Sequence, residues 1–181
     1  MVTRPAPEYR ADKGGERRIL FVVNSLTGGG AERVTVALAR FLVNQGHSVG
    51  VVTMHGSQRD FYVLPEEVDR VCLNLARETR GLEKLFVNWR RVYGLRRVLR
   101  RERADVVLGM MTTSAVLCIL SAWGMQIRVV VSERNYPGRK PCARPWAILR
   151  SLFYRFADAH VAQTGKTADW LGAHTGARSI Y

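Results

Sequence analysis

Cysteine is scarce in this chain, with only Cys72, Cys118 and Cys142 among 181 residues, far apart, odd in number and without a histidine close by. That leaves no basis for a disulfide framework or a thiolate–imidazole zinc site, and it fits a reducing cytosol. Negative charge is also in short supply. The 15 Asp and Glu face 28 Lys and Arg, a formal net charge of +13, which favours anionic partners such as phosphates, nucleic acid or lipid headgroups without choosing among them. Low-complexity stretches are absent and 47% of residues are hydrophobic, so the composition is that of a folded chain, not a disordered one.

A convincing leader is lacking too. The apolar run at 19–23 after Arg17 and Arg18 is short, breaks at Asn24 and leads into a glycine turn, which is not a signal-peptide pattern. The one long uncharged stretch, 106–127, has 22 residues, about enough to cross a bilayer. It contains Thr112, Thr113, Ser114, Ser121, Gln126 and glycines 109 and 124, so a buried strand turning into a buried helix describes it better than a membrane span.

What is present is the material of one α/β domain, since the length supports a sizeable core but not two such domains side by side. Residues 1–16 carry prolines, glycines and charges without apolar periodicity and are expected to be a loose tail, the folded domain running from 17 to 181. Short β-branched runs predict strands near 18–24, 48–54, 68–74, 104–109, 127–132 and 158–162, with a last one starting near 178. Helical periodicity fills the gaps at 30–45, 82–103, 113–123, 145–157 and 165–174. The alternation implies a Rossmann-like parallel sheet of about seven strands with helices on both faces.

Within helix 82–103, Leu85, Phe86, Trp89, Val92, Leu95 and Leu99 recur at three- and four-residue spacing as one apolar stripe, and arginines 90, 91, 96, 97, 100, 101 and 103 fill the other side. That basic side reads as a solvated face, as a patch resting on anionic lipid headgroups, or as a nucleic-acid patch. The last is disfavoured because Trp89 and Tyr93 sit on or near the apolar stripe.

The most informative segment is ILFVVNSLTGGGAER, residues 19–33, where an apolar strand ends in Gly28, Gly29 and Gly30 and opens at Ala31 into an amphipathic helix. Glycines let backbone approach an anion closely, and the free amides and positive end of the helix dipole face it, so the turn is a candidate phosphate cradle; the alternative is a tight turn with no ligand. A nicotinamide dinucleotide fits poorly, because Arg33 occupies the third glycine position and Val52-Thr53-Met54-His55 offers no ribose-binding acid after the second strand. Gly165-Lys166-Thr167 matches only the end of a P-loop, with His160 where its first glycine belongs.

In an open parallel sheet the carboxyl ends of the strands meet at the crevice where strand order reverses. Polar residues gather at four such ends: Asn24-Ser25, Thr112-Thr113-Ser114, Ser132-Glu133-Arg134-Asn135 and Gln163-Thr164. A Pro- and Gly-rich loop carrying Arg139 and Lys140 follows the fifth strand and is suited to clamping a phosphate. Glu133 and Arg134 either act on a substrate or pair with each other.

Taken together, GGGAERVTVALARFLVNQGHSVGVVT, then VVVSERNYP, then YRFADAHVAQTGKTADWL resemble glycosyltransferase family 4, and the resemblance covers most of residues 18–181. It implies the N-terminal half of a GT-B fold, in which two Rossmann-like halves face each other, with the acceptor mainly on this half and the nucleotide-sugar mainly on the other. It implies a retaining transfer from a nucleoside-diphosphate sugar to a lipid-linked or surface glycan acceptor, by a front-face reaction in which the leaving diphosphate helps accept the proton. By the same resemblance Gly28, Gly29, Gly30 and Ala31 approach the donor diphosphate, while Thr112, Thr113, Ser132, Glu133, Arg134, Asn135, Arg139 and Lys140 line the acceptor side. No general base is assigned, and no metal or cofactor is implied. The family's Glu-x7-Glu signature belongs to the other half; Glu8 and Glu16 share its spacing by chance. Family members continue beyond the strand at Ile180-Tyr181 through an Asn-Pro linker, so these residues by themselves are expected to be inactive. A cytoplasmic location is expected, with peripheral contact to the inner membrane face through Arg90, Arg91, Arg97 and Arg101. Two rivals stand beside this reading: a dinucleotide-binding oxidoreductase, which micromolar NAD binding would support, and a nucleic-acid module, which steeply salt-dependent binding to RNA or DNA would support.

Overall fold

In the computed structural model, which describes residues 15–75 and 83–181 (side chains of 83–85 excepted), the β-branched runs pair in parallel throughout. The strands are β1 (Arg18–Val23), β2 (Ser48–Thr53), β3 (Asp69–Cys72), β4 (Val106–Met110), β5 (Arg128–Glu133) and β6 (Ala159–Ala162), in the order β3-β2-β1-β4-β5-β6. The expected seventh strand is reduced to a single parallel bridge between His160 and Ile180. The helices are α1 (Gly30–Asn44), α2 (Glu83–Arg101), α3 (Met111–Ser121), α4 (Arg144–Phe153) and α5 (Gly165–Thr175), with a short 3-10 turn at Tyr154–Phe156 after α4. The expected tail lies outside the described residues apart from Gly15 and Glu16.

The continuous apolar runs follow from burial on both faces. In β1, Ile19, Phe21 and Val23 pack with Leu26, Ala39 of α1 and Val68, while Leu20 and Val22 point the other way, into a core shared with α2, α3, Tyr154 and Leu171 of α5. Fully burying each such side chain contributes about 1.5–3 kcal/mol. At the amino edge of the sheet, Arg18 ties several segments together: its amide donates to Asp105, and its guanidinium reaches Glu102 at 2.6 Å and Asp69 at 2.7 Å.

The uncharged stretch 106–127 resolves into β4 and α3, joined with no intervening loop. No helix among the described residues is long and apolar enough to cross a membrane. α3 is instead a core helix, with residues 112, 114–119 and 121 all buried. It presses directly on β4: a Cβ added at Gly109 would stand 2.5 Å from Ala115 Cα and 2.8 Å from its nitrogen.

The stripe on α2 divides in two. Leu95, Val98 and Leu99 are buried against α3 and the sheet, whereas Phe86 and Trp89, expected in the same core-facing stripe, are 65% and 70% exposed. Trp89 borders an open recess that Leu117 and Leu120 of α3 also line, so this part of the stripe faces a gap and not a packed neighbour.

Because the clash at Gly109 is with backbone, Gly109→Ala must lift α3 off the sheet. We expect it to lower unfolding free energy by roughly 1–3 kcal/mol, read as a shift in urea midpoint.

Candidate functional site

Strand order reverses between β1 and β4, so the crevice for a ligand opens beyond their carboxyl ends. The glycine turn stands there. Gly28 and Gly29 adopt φ of 129° and 150°, backbone that L side chains rarely take, and the Gly29 carbonyl accepts the first helical hydrogen bond of α1 from Arg33 N at 3.1 Å. No side chain caps this helix, leaving first-turn amides free of a capping acceptor. Gly28, Gly29 and Gly30 are exposed; an added Cβ at Gly30 would meet nothing within 4 Å, and one at Gly28 only Phe61 Cβ at 4.0 Å. At Gly29 the same atom would lie 2.5 Å from Glu32 Oε2. The acid of the first turn thus folds back onto the positive helix end, and an incoming anion must displace it or bind beside it. Ala31, the remaining residue of the expected cradle, is half-buried in that first turn.

The second wall of the crevice is the β4–α3 junction. Met111 turns the chain from strand to helix at φ 69°, an unusual conformation for a residue with a side chain. The turn delivers Thr112 inward, where its hydroxyl donates to Glu133 Oε1 at 2.7 Å. Tyr154 donates to the same oxygen at 2.5 Å. Arg150 Nη1 lies 3.9 Å from Glu133 and 3.4 Å from the Thr112 hydroxyl, with its guanidinium 4.6 Å above the Trp170 ring. Thr112, Glu133, Arg150 and Tyr154 are all buried, and they bind β5, α3, α4 and the turn after it into one polar anchor beneath the crevice.

Glu133 and Arg134 do not pair with each other as one expectation had it, because adjacent strand residues point to opposite faces. Glu133 turns to Arg150, and Arg134 turns to Gln163 at the end of β6. With the amide oriented to satisfy both groups, Gln163 donates to the Arg134 carbonyl at 2.6 Å and accepts from its guanidinium at 2.8 Å. Arg134 Nε stays buried without an acceptor among the described residues. Ser132 is buried, Thr113 is half-buried, and Asn135 Nδ2 lies 3.7 Å from Met111 Sδ. Arg139 and Lys140 are exposed on a loop whose two amides both donate to the Tyr136 carbonyl.

Three features escape sequence reasoning. Phe61 and Tyr62 lean over the glycine turn, their amides donating to the Leu26 carbonyl and the Tyr62 hydroxyl to the Gly29 carbonyl at 3.3 Å; residues 55–67 carry no periodicity that would announce this. Met111 reads as core, and nothing in its type signals a strained turn. Arg150 and Tyr154 reach Glu133 only through tertiary packing. The partial P-loop match, by contrast, is a helix start: Thr164 caps α5 by accepting from Thr167 N. Among the described residues no group of three His, Cys, Asp or Glu side chains is placed to hold a metal ion.

Burial pushes the Glu133 carboxyl above its usual range, against the opposing pull of Tyr154, Thr112 and Arg150. A carboxyl raised in the folded state binds protons more tightly folded than unfolded, so its contribution to stability grows as pH falls from neutral through the folded value toward about 4.3. Comparing Glu133→Gln with the parent chain by urea unfolding, we expect the stability difference in favour of the parent to be larger at pH 5 than at pH 7.5.

Comparison with known proteins follows the same lines as the geometry. The family model described as Glycosyltransferase Family 4 matches residues 28–180. A curated relative from Campylobacter jejuni is 31% identical over 143 residues, covering 78% of this chain; it is described as GalNAc-alpha-(1->4)-GalNAc-alpha-(1->3)-diNAcBac-PP-undecaprenol alpha-1,4-N-acetyl-D-galactosaminyltransferase. The chain spans 39% of that relative's length. Among solved structures, sucrose-phosphate synthase from Thermosynechococcus elongatus superposes with a TM-score of 0.75 at 11% identity, over 92% of this chain and 47% of that one. The apo form of a lipopolysaccharide outer core galactosyltransferase superposes at 0.70 and 14% identity, over 91% and 44%. At those identities the structural matches speak for the fold, a Rossmann-like half of the GT-B type.

Proposed function

Since the chain belongs to glycosyltransferase family 4, we propose that residues 17–181 form the acceptor-side half of a retaining transferase that moves a sugar from a nucleoside diphosphate to a polyprenyl-diphosphate-linked or surface glycan. The observation that carries this reading is the uncapped, exposed glycine turn at the point where strand order reverses. Similarity to a transferase whose acceptor is named as an undecaprenol-linked glycan supports the acceptor class.

In this reading the amides of Gly30 and Ala31 hydrogen-bond the donor diphosphate once the Glu32 carboxylate yields its place, and a second Rossmann-like half opposite the carboxyl edge holds most of the nucleotide-sugar. Arg139 and Lys140, exposed and mobile enough as long side chains to follow a phosphate, serve the acceptor diphosphate. Thr113, Arg134 and Asn135 line the acceptor cleft, while Ser132 and the anchored pair Thr112 and Glu133 fix the floor on which it rests. No catalytic residue is assigned: the leaving diphosphate takes the proton in a front-face transfer. Without the opposite half, residues 17–181 are expected to bind acceptor and not turn over.

Peripheral contact with the inner membrane face belongs to the same reading, and its arginines differ in availability. Arg91 donates to the Leu75 carbonyl and Asn88, and Arg101 is paired with Glu102, whereas Arg90 and Arg97 are exposed.

Transfer of label from nucleoside-diphosphate sugars to polyprenyl-diphosphate-linked glycans by the full-length natural polypeptide tests the proposal, and no transfer from any donor would overturn it. Gly29→Ala strains the turn and collides with Glu32, so kcat/KM for the donor should fall roughly 10- to 100-fold, the worth of one or two phosphate hydrogen bonds. Residues 17–181 by themselves should give no turnover above background.

A further inference from the structure

The outer surface of the helical layer carries a second recess, away from the carboxyl edge of the sheet. α3, held down by its contact with Gly109, forms the floor with Leu117 and Leu120, and α2 and α4 rise on either side as walls. The recess has a volume of about 680 Å³, the size of a ligand cleft and far beyond a packing defect. Trp89, Val92 and Tyr93 line it from α2, Trp146, Leu149 and Phe153 from α4, and Trp123 closes one end. Arg96 contributes only its stem, because its guanidinium is spent on the carbonyls of Ser121 at 2.8 Å and Trp123 at 2.7 Å.

We propose that this groove is a membrane-insertion surface, taking the acyl chains of an anionic leaflet while the arginines of α2 grip its headgroups; it rests on the reading above that the acceptor is lipid-linked.

The apolar surface continues beyond the groove. Phe86 lies one turn from Trp89 and two from Tyr93 on α2, and Ile148 and Leu152 are 59% and 50% exposed on α4. Exposed apolar side chains on the two helices that wall an apolar recess mark a site of association. Its chemistry selects the partner. Trp and Tyr at the rim suit the interface between headgroup and hydrocarbon, where an apolar ring with a polar tip is at home. Beside them Arg90, Arg97 and Arg100 are exposed and donate to no acceptor among the described residues. Neither residues 84–101 nor α4 holds a single Asp or Glu. Each such cation adds about 1 kcal/mol near an anionic surface. A large apolar face flanked by uncompensated cations is the pattern of a helix pair lying in the membrane plane, and with no spanning helix among the described residues contact in the plane is the mode left to them. A second copy of the chain is a poorer occupant, since +13 on each copy opposes self-association.

Tryptophan emission reads the proposal directly, because Trp89, Trp123 and Trp146 line the groove and only Trp170, under Arg150, lies apart from it. Vesicles of mixed phosphatidylglycerol and phosphatidylcholine should shift the emission to the blue, and lipids brominated on their acyl chains should quench it; pure phosphatidylcholine should bind roughly tenfold or more weakly. Trp89→Ser combined with Tyr93→Ser should lower partition roughly tenfold or more at low salt, leaving the urea midpoint near that of the parent because both side chains are exposed. Arg90→Glu combined with Arg97→Glu should remove the preference for anionic lipid and keep residual quenching. Binding fully reversed by salt without quenching by brominated chains would overturn the proposal, as would competition by single-stranded RNA at equal charge, or a mass in sedimentation equilibrium that doubles with concentration while Trp89 becomes shielded. None of these readings requires sugar transfer, so failure of the transferase assay and failure of the insertion surface are told apart.

Discussion

The contact between Gly109 of β4 and the backbone of α3 at Ala115 constrains the rest of the molecule. No side chain separates strand from helix there, so α3 sits deeper than its neighbours and must start the moment β4 ends. The abrupt start forces Met111 into left-handed backbone and points Thr112 inward to Glu133. The depth leaves α2 and α4 standing proud on either side, with an apolar trough between them. The same helix, seated where Gly109 leaves no room for a side chain, thus carries Thr112 at the carboxyl edge and Leu117 and Leu120 of the outer recess.

The two surfaces have opposite chemistry. At the carboxyl edge glycine amides and a helix end are exposed where strand order reverses, with Glu32 folded toward that end, and in the proposed reading this backbone holds the donor diphosphate. On the outer face the side chains carry the chemistry, aromatic rings and aliphatic tips edged by guanidinium groups. The polyprenyl-linked acceptor proposed above has the same division, a charged diphosphate at one end and hydrocarbon at the other.

Much of this was legible in the residues. Runs such as ILFVV could be read as strands because both of their faces are buried, which removes polar alternation and leaves an uninterrupted apolar signature. The glycine turn was legible because positive φ at consecutive positions demands glycine. The stripe on α2 reads as one apolar side, and helical spacing does not say where along that side packing stops: Leu95 and Leu99 are buried in the core, while Trp89 borders an open recess over Leu117 and Leu120. The partner of Glu133 was out of reach for a different reason. Arg150 and Tyr154 lie 17 and 21 residues further along the chain, and only the crossing of α4 over β5 and α3 brings them to the carboxylate. Local pattern carries no information about such a crossing.

Arg18, at the opposite edge of the sheet, has an effect on how this protein can change over time. By clasping Asp69, Glu102 and Asp105 it fastens the starts of three strands and the end of α2 at the amino rim. That clasp holds the frame independently of the loops around the glycine turn, so under the proposed function those loops can be rewritten for a new sugar or a new lipid while the chassis beneath them is inherited intact.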